Sequence, residues 1–244
     1  MPKTKTKTNV SLLDEKERKE IEEMFDAALH FGHKKARKHP KMERFIYGQR
    51  NNVCIIDLKQ TRECLKSALE FLKQKKEEAK KEGRKLLILF VGTKLAAKDM
   101  VKKLAEELEM PYVVEKWLGG ILTNFEVISK RIESLKEMEK KAEEGEFDKY
   151  PKKEKIRMMR KLEKIKKRFE GLKRLERLPD IVFVVDAAKE ALAVKEANYK
   201  KIPVVGICDT DGDPSQLTYP IPANDDALSA LKYILDRVKK VLKD

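Results

Sequence analysis

The sequence is short of several residue types, and each shortage removes a class of explanation. It has three cysteines, Cys54, Cys64 and Cys208, an odd number with no Cys-x-x-Cys pair. Neither a disulfide framework nor a thiolate zinc site is expected, and a reducing compartment, the cytoplasm, fits. Cys54 and Cys208 stand in apolar runs and read as small buried hydrophobes. There are also three histidines, His30, His33 and His39. No cysteine or acid stands beside them at zinc-ligand spacing, so a histidine zinc site is not expected. No apolar run approaches the roughly 18 residues that would span a membrane. The first residues carry Lys3, Lys5 and Lys7 but no apolar stretch behind them, so a signal peptide is not expected.

What remains is an apolar, strongly charged chain. Hydrophobic residues make up 41% of the 244, too many for a disordered polymer, so a packed core is expected in one large domain or two small ones. Charged residues make up 40%, against about a quarter in ordinary domains. Lys and Arg outnumber Asp and Glu by 56 to 42, a formal net charge of +14. Such an excess favours phosphate-rich partners, because binding them releases condensed counterions. Lys/Glu-rich solvated faces of the kind found on thermophilic proteins are the alternative.

The excess is concentrated. From His30 to Arg50 there are seven Lys and Arg against one acid, Glu43. His30, His33, Lys34, Lys35, Arg37, Lys38, His39, Lys41, Arg44 and Arg50 are therefore candidates for RNA contact. Lys and Arg supply charge and donors to phosphate, Arg bidentately, and His stacks or donates.

Residues 1–13 read as a flexible basic tail. A helix is expected over 14–30, capped by Asp14, with Phe25, Ala28 and Leu29 buried. Short strands near 44–48 and 53–57 flank a Gly/Asn-rich turn. A helix over 59–80 leads to the apolar run 85–91, which suits a strand covered on both faces. A helix over 94–109 and a strand over 111–114 follow. The cycle resumes with strand 180–185, helix 188–198, strand 202–208 and a last helix over 225–242. This alternation predicts an α/β fold, a three-layer, doubly wound, mostly parallel sheet of the flavodoxin or Rossmann kind, built from 14–123 plus 178–244. Residues 124–177 interrupt it with two charged helices. Ile128, Ile132, Leu135 and Met138 mark one stripe, and Ile156, Met159, Leu162, Ile165 and Phe169 the other. Thin stripes of this kind suit an inserted antiparallel coiled-coil hairpin. From Glu126 to Leu178 it carries 19 basic against 12 acidic residues. Arg157, Arg160, Lys164, Lys167 and Arg168 on its second arm join the RNA-binding candidates.

Three further segments invite chemistry. Trp117-Leu118-Gly119-Gly120 before Asn124 is either a backbone phosphate cradle or a sharp turn launching the hairpin. Gly92-Thr93-Lys94 stands where α/β sheets place ligands, although a strand-to-helix turn needs such residues anyway. Cys208-Asp209-Thr210-Asp211-Gly212-Asp213 resembles the opening of Mg²⁺-dependent phosphatases, with Asp209 and Asp211 as the reacting carboxylates. It stands in the last third of the chain rather than at the first strand. A hydrated acidic turn, with room for a structural Mg²⁺, is the simpler reading. No catalytic motif is complete, so an enzyme is not expected and no cofactor or small-molecule substrate is implied. A protein-docking module is the remaining alternative.

Several blocks together resemble the ribosomal protein S2 family of the bacterial small subunit. They are Ala28-Leu29-His30-Phe31-Gly32-His33, Pro40-Lys41-Met42, Ile46-Tyr47-Gly48-Gln49-Arg50-Asn51, Phe90-Val91-Gly92-Thr93-Lys94 and Trp117-Leu118-Gly119-Gly120-Ile121-Leu122-Thr123-Asn124. Gly145-Glu146-Phe147-Asp148, Leu178-Pro179-Asp180, Ile207 through Pro214 and Ile221-Pro222-Ala223-Asn224-Asp225-Asp226-Ala227 complete the series. The resemblance runs in order over about 20–240. It implies a parallel-sheet domain with an inserted helical hairpin, and assembly with 16S rRNA, neighbouring ribosomal proteins and protein S1. His30–Arg50 and the hairpin would then face rRNA. The 1–20 extension and the run Lys34–His39 depart from the family's usual pattern.

Overall fold

In the computed structural model, residues 15–243 are described. Five strands form a parallel sheet: β4 (Ile88–Val91), β5 (Tyr112–Val113), β6 (Ile181–Val184), β7 (Val204–Cys208) and β8 (Tyr219–Pro222), in the order β5-β4-β6-β7-β8. Numbered within the sheet this is 2-1-3-4-5, a doubly wound order whose direction of winding reverses between β4 and β6.

The strand side chains explain the layering. Ile88, Phe90, Ile181, Phe183, Val205 and Ile207 point to one face, against helices α2 (Leu58–Lys81), α3 (Leu95–Leu108) and α7 (Leu228–Lys243). Leu89, Val91, Val182, Val184, Val204 and Cys208 point to the other, towards α6 (Ala191–Tyr199) and Trp117, Ile121 and Leu122. Alternate residues thus feed two separate cores, and apolar continuity along β4 and β6 follows from burial on both faces. Strand β8 escapes a sequence reading because Pro220 and Pro222 interrupt it. It is an edge strand, where a missing N–H is tolerated.

A second, antiparallel sheet of order β1-β3-β2 joins β1 (Phe31–Lys34), β2 (Ile46–Arg50) and β3 (Val53–Ile56). The β2–β3 turn is tight, with Arg50 opposite Val53 and both Asn51 (φ 50) and Asn52 (φ 63) left-handed, as a two-residue hairpin turn requires. Strand β1 is formed by part of the basic run, which the alternation of apolar residues did not reveal.

Helix α1 covers Glu15–Asp26 and ends short of the expected residue 30. Ala28 turns left-handed (φ 61), and the N–H groups of Ala28 and Leu29 close on the carbonyls of Phe25 and Met24, a Schellman stop. The early stop swings Phe25 outward, where it is 58% exposed, and Met24 takes the buried place expected for it. Asp14 and the 1–13 tail lie outside the described residues.

Between β5 and β6 lie α4 (Phe125–Glu143) and α5 (Lys152–Phe169), joined through a short 3-10 turn at Glu146–Lys149. Ile128, Ile132, Leu135, Phe147, Leu162 and Phe169 are buried, with Met138, Met158 and Ile165 half-buried beside them. Ile156 and Met159, expected in the second stripe, are 43% and 46% exposed. Met158, Leu162, Ile165 and Phe169 form the 4-3-4 row that meets the neighbour, and Ile156 and Met159 fall around the helix from it. The second helix also ends at Phe169, well before residue 177, and passes into a 3-10 turn over Glu170–Leu172. Among the described residues no helix is long and apolar enough to cross a membrane.

Candidate nucleic-acid interface and the charged cleft beneath it

The basic run is held rigidly at the carboxyl end of the parallel sheet. Its apolar members, Met42 and Phe45, enter the core, and Met42 Sδ lies 3.9 Å from Cys208 Sγ. The backbone N–H of His33 donates to Thr210 Oγ1 (2.8 Å), and that of His39 to the Thr210 carbonyl (2.8 Å). Gly32 permits this approach: a Cβ there would stand 2.5 Å from Thr210 Cγ2. Lys41 Nζ donates to Asp213 Oδ2 (2.9 Å) and Ser215 Oγ. Lysine and serine together hold the Asp213 carboxyl well below the ordinary carboxylate range, against the upward push of burial.

Fastened this way, the segment turns its remaining cations outward. Lys34, Lys35, Arg37, Lys41, Arg44 and Arg50 are exposed. Among the described residues, Lys34, Lys35, Arg37 and Arg50 form no ion pair, whereas Lys38 is paired with Glu43 and Arg44 lies over the Phe45 ring at 4.5 Å. Tyr47, on the same small sheet, is 76% exposed, an aromatic face among cations that was not singled out from the sequence. On α5, Arg157, Arg160, Lys164 and Arg168 are exposed without an ion pair among the described residues, and Lys167 lies 3.8 Å from Glu115.

The three histidines are separated. His30 is buried, stacked on Phe25 at 4.3 Å, and burial lowers its pKa. His39 accepts from the Lys41 N–H and starts a 3-10 turn. His33 points inward: Nδ1 is 3.0 Å from Asp209 Oδ2, and Nε2 is 3.8 Å from Asp211 and 3.7 Å from Asp226. Its bond to Asp209, helped by the charges of Asp209, Asp211 and Asp225 against the opposing effect of burial, raises its pKa to about 9. His33 is therefore a cation facing carboxylates rather than a group presented to RNA.

These carboxylates line the cleft where the winding of the sheet reverses. Lys94, just after β4, lies 2.6 Å from both Asp225 and Asp226 and 3.5 Å from Asp186, just after β6. Asp209 and Asp225 are buried. Burial, with Asp186 and Asp209 close by, raises the Asp225 pKa despite Lys94. Spacing could not reveal the cluster, because its members come from five distant segments. Asp209 and Asp211, the reacting pair of a phosphatase reading, are instead packed against His33.

The two candidate phosphate turns are already filled. Glu196, on α6, accepts from Trp117 Nε1 (3.0 Å), the Gly120 N–H (2.8 Å), the Leu122 N–H (3.1 Å) and both the N–H and hydroxyl of Thr123 (3.2 and 3.1 Å). Burial alone would raise its carboxyl, but these donors outweigh it and hold the pKa below the usual value. Gly120 (φ 96) gives the loop its curl. Glu190 likewise accepts from the Thr93 N–H (2.9 Å) and Thr93 Oγ1 (2.5 Å). Glu196 was legible in principle: it interrupts a row of buried Ala193, Val194 and Ala197, and a buried acid must find donors.

The fold and these surfaces define an α/β protein whose sheet-end crevice is closed by its own charges and whose outer face is cationic, a binding scaffold. The chain belongs to the family described as Ribosomal protein S2, which it matches over residues 24–244. It is 45% identical over 217 residues to small ribosomal subunit protein uS2 from each of two strains of Thermus thermophilus, covering 89% of this chain and 82% of each relative. It is also 45% identical over 218 residues to the protein of that name from Coprothermobacter proteolyticus, covering 89% of this chain and 79% of the relative.

Proposed function

We propose that this chain is a structural constituent of the small ribosomal subunit that binds 16S rRNA and neighbouring ribosomal proteins in the cytoplasm, and that it is not an enzyme. The observation that carries the reading is family membership across residues 24–244, at 45% identity to uS2 proteins. The exposed cations of the segment 34–50 give it a physical basis. Lys34, Lys35, Arg37, Arg44 and Arg50, with the half-buried Lys38, neutralise phosphates and fix position, with Tyr47 available for stacking on an unpaired base. Lys41 and His39 mainly anchor this segment, and His30 and His33 support it from below.

The helices α4 and α5 form, in this reading, an antiparallel coiled-coil hairpin over 124–177, inserted into a sheet domain made of 14–123 and 178–244. The buried row Ile128, Ile132 and Leu135 facing Leu162 and Phe169 supports the packing. Exposed Arg157, Arg160, Lys164, Lys167 and Arg168 support a second RNA-facing surface. Protein S1 is a partner on the family resemblance alone.

The test is sedimentation of cell lysate on sucrose gradients at moderate and high salt, tracking the chain by mass spectrometry. Near-stoichiometric migration with small subunits is expected. Free protein at the top of the gradient in moderate salt would refute the assignment.

A further inference from the structure

We infer that residues 8–13 of this chain pack into an apolar groove between α1, α2 and α7, and so clasp α1 to the body. The groove has a volume of about 440 Å³, within the range of about 300–1,000 Å³ typical of ligand-sized clefts. Met24, Leu65, Leu69, Tyr233 and Val241 give it an apolar lining. Leu69, Tyr233 and Val241 are only half-buried, so this lining is left partly uncovered. The inference does not rest on the RNA-binding reading.

Three observations select this occupant. The first is place. Lys16 and Glu17, in the first turn of α1, already line the groove, so the chain that precedes Glu15 reaches it from its edge. Along α2 the groove runs from Arg62 to Lys73, about 16 Å at the helical rise. Six extended residues span about 20 Å, enough to follow it. The second is chemistry. Thr8-Asn9-Val10-Ser11-Leu12-Leu13 carries no charge and three large apolar side chains, and docking removes apolar surface on both sides from water. The third is an unmet polar group. The Tyr233 hydroxyl is closed off from solvent and has no hydrogen-bond partner among the described residues. A buried hydroxyl needs a partner, and a main-chain carbonyl or Ser11 of the docked segment supplies one.

Charge decides how much of the preceding chain enters. Arg62 is paired with Glu17 and Glu20, and Arg237 with Glu23. Among the described residues, Lys16, Lys66 and Lys73 on the rim form no ion pair, against one unpaired acid, Glu70. The rim is therefore cationic. It turns away Lys3, Lys5 and Lys7 and accepts the neutral segment behind them. Docking braces α1, and α1 leads through the left-handed turn at Ala28 into β1 and the basic run.

The experiment places the photoreactive residue benzoylphenylalanine at Leu12 of the full chain, irradiates it and maps the adduct by peptide mass spectrometry. An adduct on 62–73 or 233–241 of the same chain is expected. An adduct joining two chains, or one that misses both helices, would overturn the inference. Hydrogen exchange on the unlabelled chain is the second readout. Amides of residues 10–13 should exchange at least about tenfold more slowly than in an unstructured peptide of that sequence. In Leu12→Ser combined with Leu13→Ser that protection should vanish, and amides of α1 should exchange at least about tenfold faster. This variant changes no described residue, so the folded body remains as the reference. Exchange of 10–13 at the unstructured rate in the parent, or unaltered exchange of α1 in the variant, would equally rule out the clasp.

Discussion

Replacing Glu196 by alanine removes one side chain and strands five donors. Two of them, Trp117 Nε1 and the Leu122 N–H, form buried hydrogen bonds, and the Gly120 and Thr123 donors lie where water can replace the carboxylate. At about 1–3 kcal/mol for each buried donor left unsatisfied, the loss is about 2–6 kcal/mol. That is a large part of the roughly 5–15 kcal/mol that holds most domains folded. Glu196→Gln keeps an acceptor but turns an amide N–H₂ towards donors, so its loss should be smaller. The pKa of Glu196 is depressed by folding. Its contribution is therefore complete above the ordinary glutamate value of about 4.5 and is lost as pH falls through the folded-state value. Urea unfolding read on Trp117, the sole tryptophan and one of the five donors' owners, reports both effects. Glu196→Gln should show a flatter acid limb than the parent. A Glu196→Ala loss under about 1 kcal/mol, or an acid limb unchanged in Glu196→Gln, would refute the assignment of Glu196 as the loop's internal anion.

Replacing Lys34, Lys35, Arg37 and Lys38 together by alanine should leave the unfolding midpoint nearly unchanged, since three are exposed and unpaired and an exposed pair such as Lys38–Glu43 contributes about 1 kcal/mol or less. Binding to rRNA should weaken, and the slope of log K against log salt should fall by about 0.7–0.9 for each phosphate no longer neutralised; unchanged subunit incorporation would remove this segment from the interface. The same measurement on Arg157, Arg160, Lys164 and Arg168 changed to glutamine tests the second surface. Gly171→Ala places a Cβ 2.3 Å from the Tyr112 carbonyl oxygen, a backbone atom that cannot swing away. It should cost at least about 1–3 kcal/mol in urea unfolding and loosen the base of α5 against β5, seen as faster proteolysis there.

The parallel strands were legible because burial on both faces writes continuous apolar runs, as in 85–91 and 180–185. Strand β8 was not, because Pro220 and Pro222 argue against a strand until its edge position is known. The stop of α1 was missed because a left-handed residue is expected to be Gly or Asn, and here it is Ala28. The cations of the segment 30–50 were visible as a local run. What the run conceals is which members face outward: His33 and Lys41 are turned to carboxylates that stand some 170 or more residues later in the chain. Long-range pairing of that kind leaves no local spacing to read.

The sheet has the crevice in which this topology binds phosphates, at the carboxyl ends of β4 and β6 where the winding reverses. Each feature that would admit a phosphate there is already taken. The Thr93 donors go to Glu190, and the Gly119–Thr123 loop donors go to Glu196. The surplus of carboxylates around Lys94 and His33 makes the remaining space repel an anion. The field changes sign across one short layer, because the segment that covers this acidic cleft carries Lys34, Lys35, Arg37 and Arg50 on its outer side. The positive field of this segment thus lies on its outer side, and the negative cleft beneath holds it in place by pairing with Lys41 and His33. A scaffold built this way gives up the sheet's ligand site and gains a rigid mount for its cations.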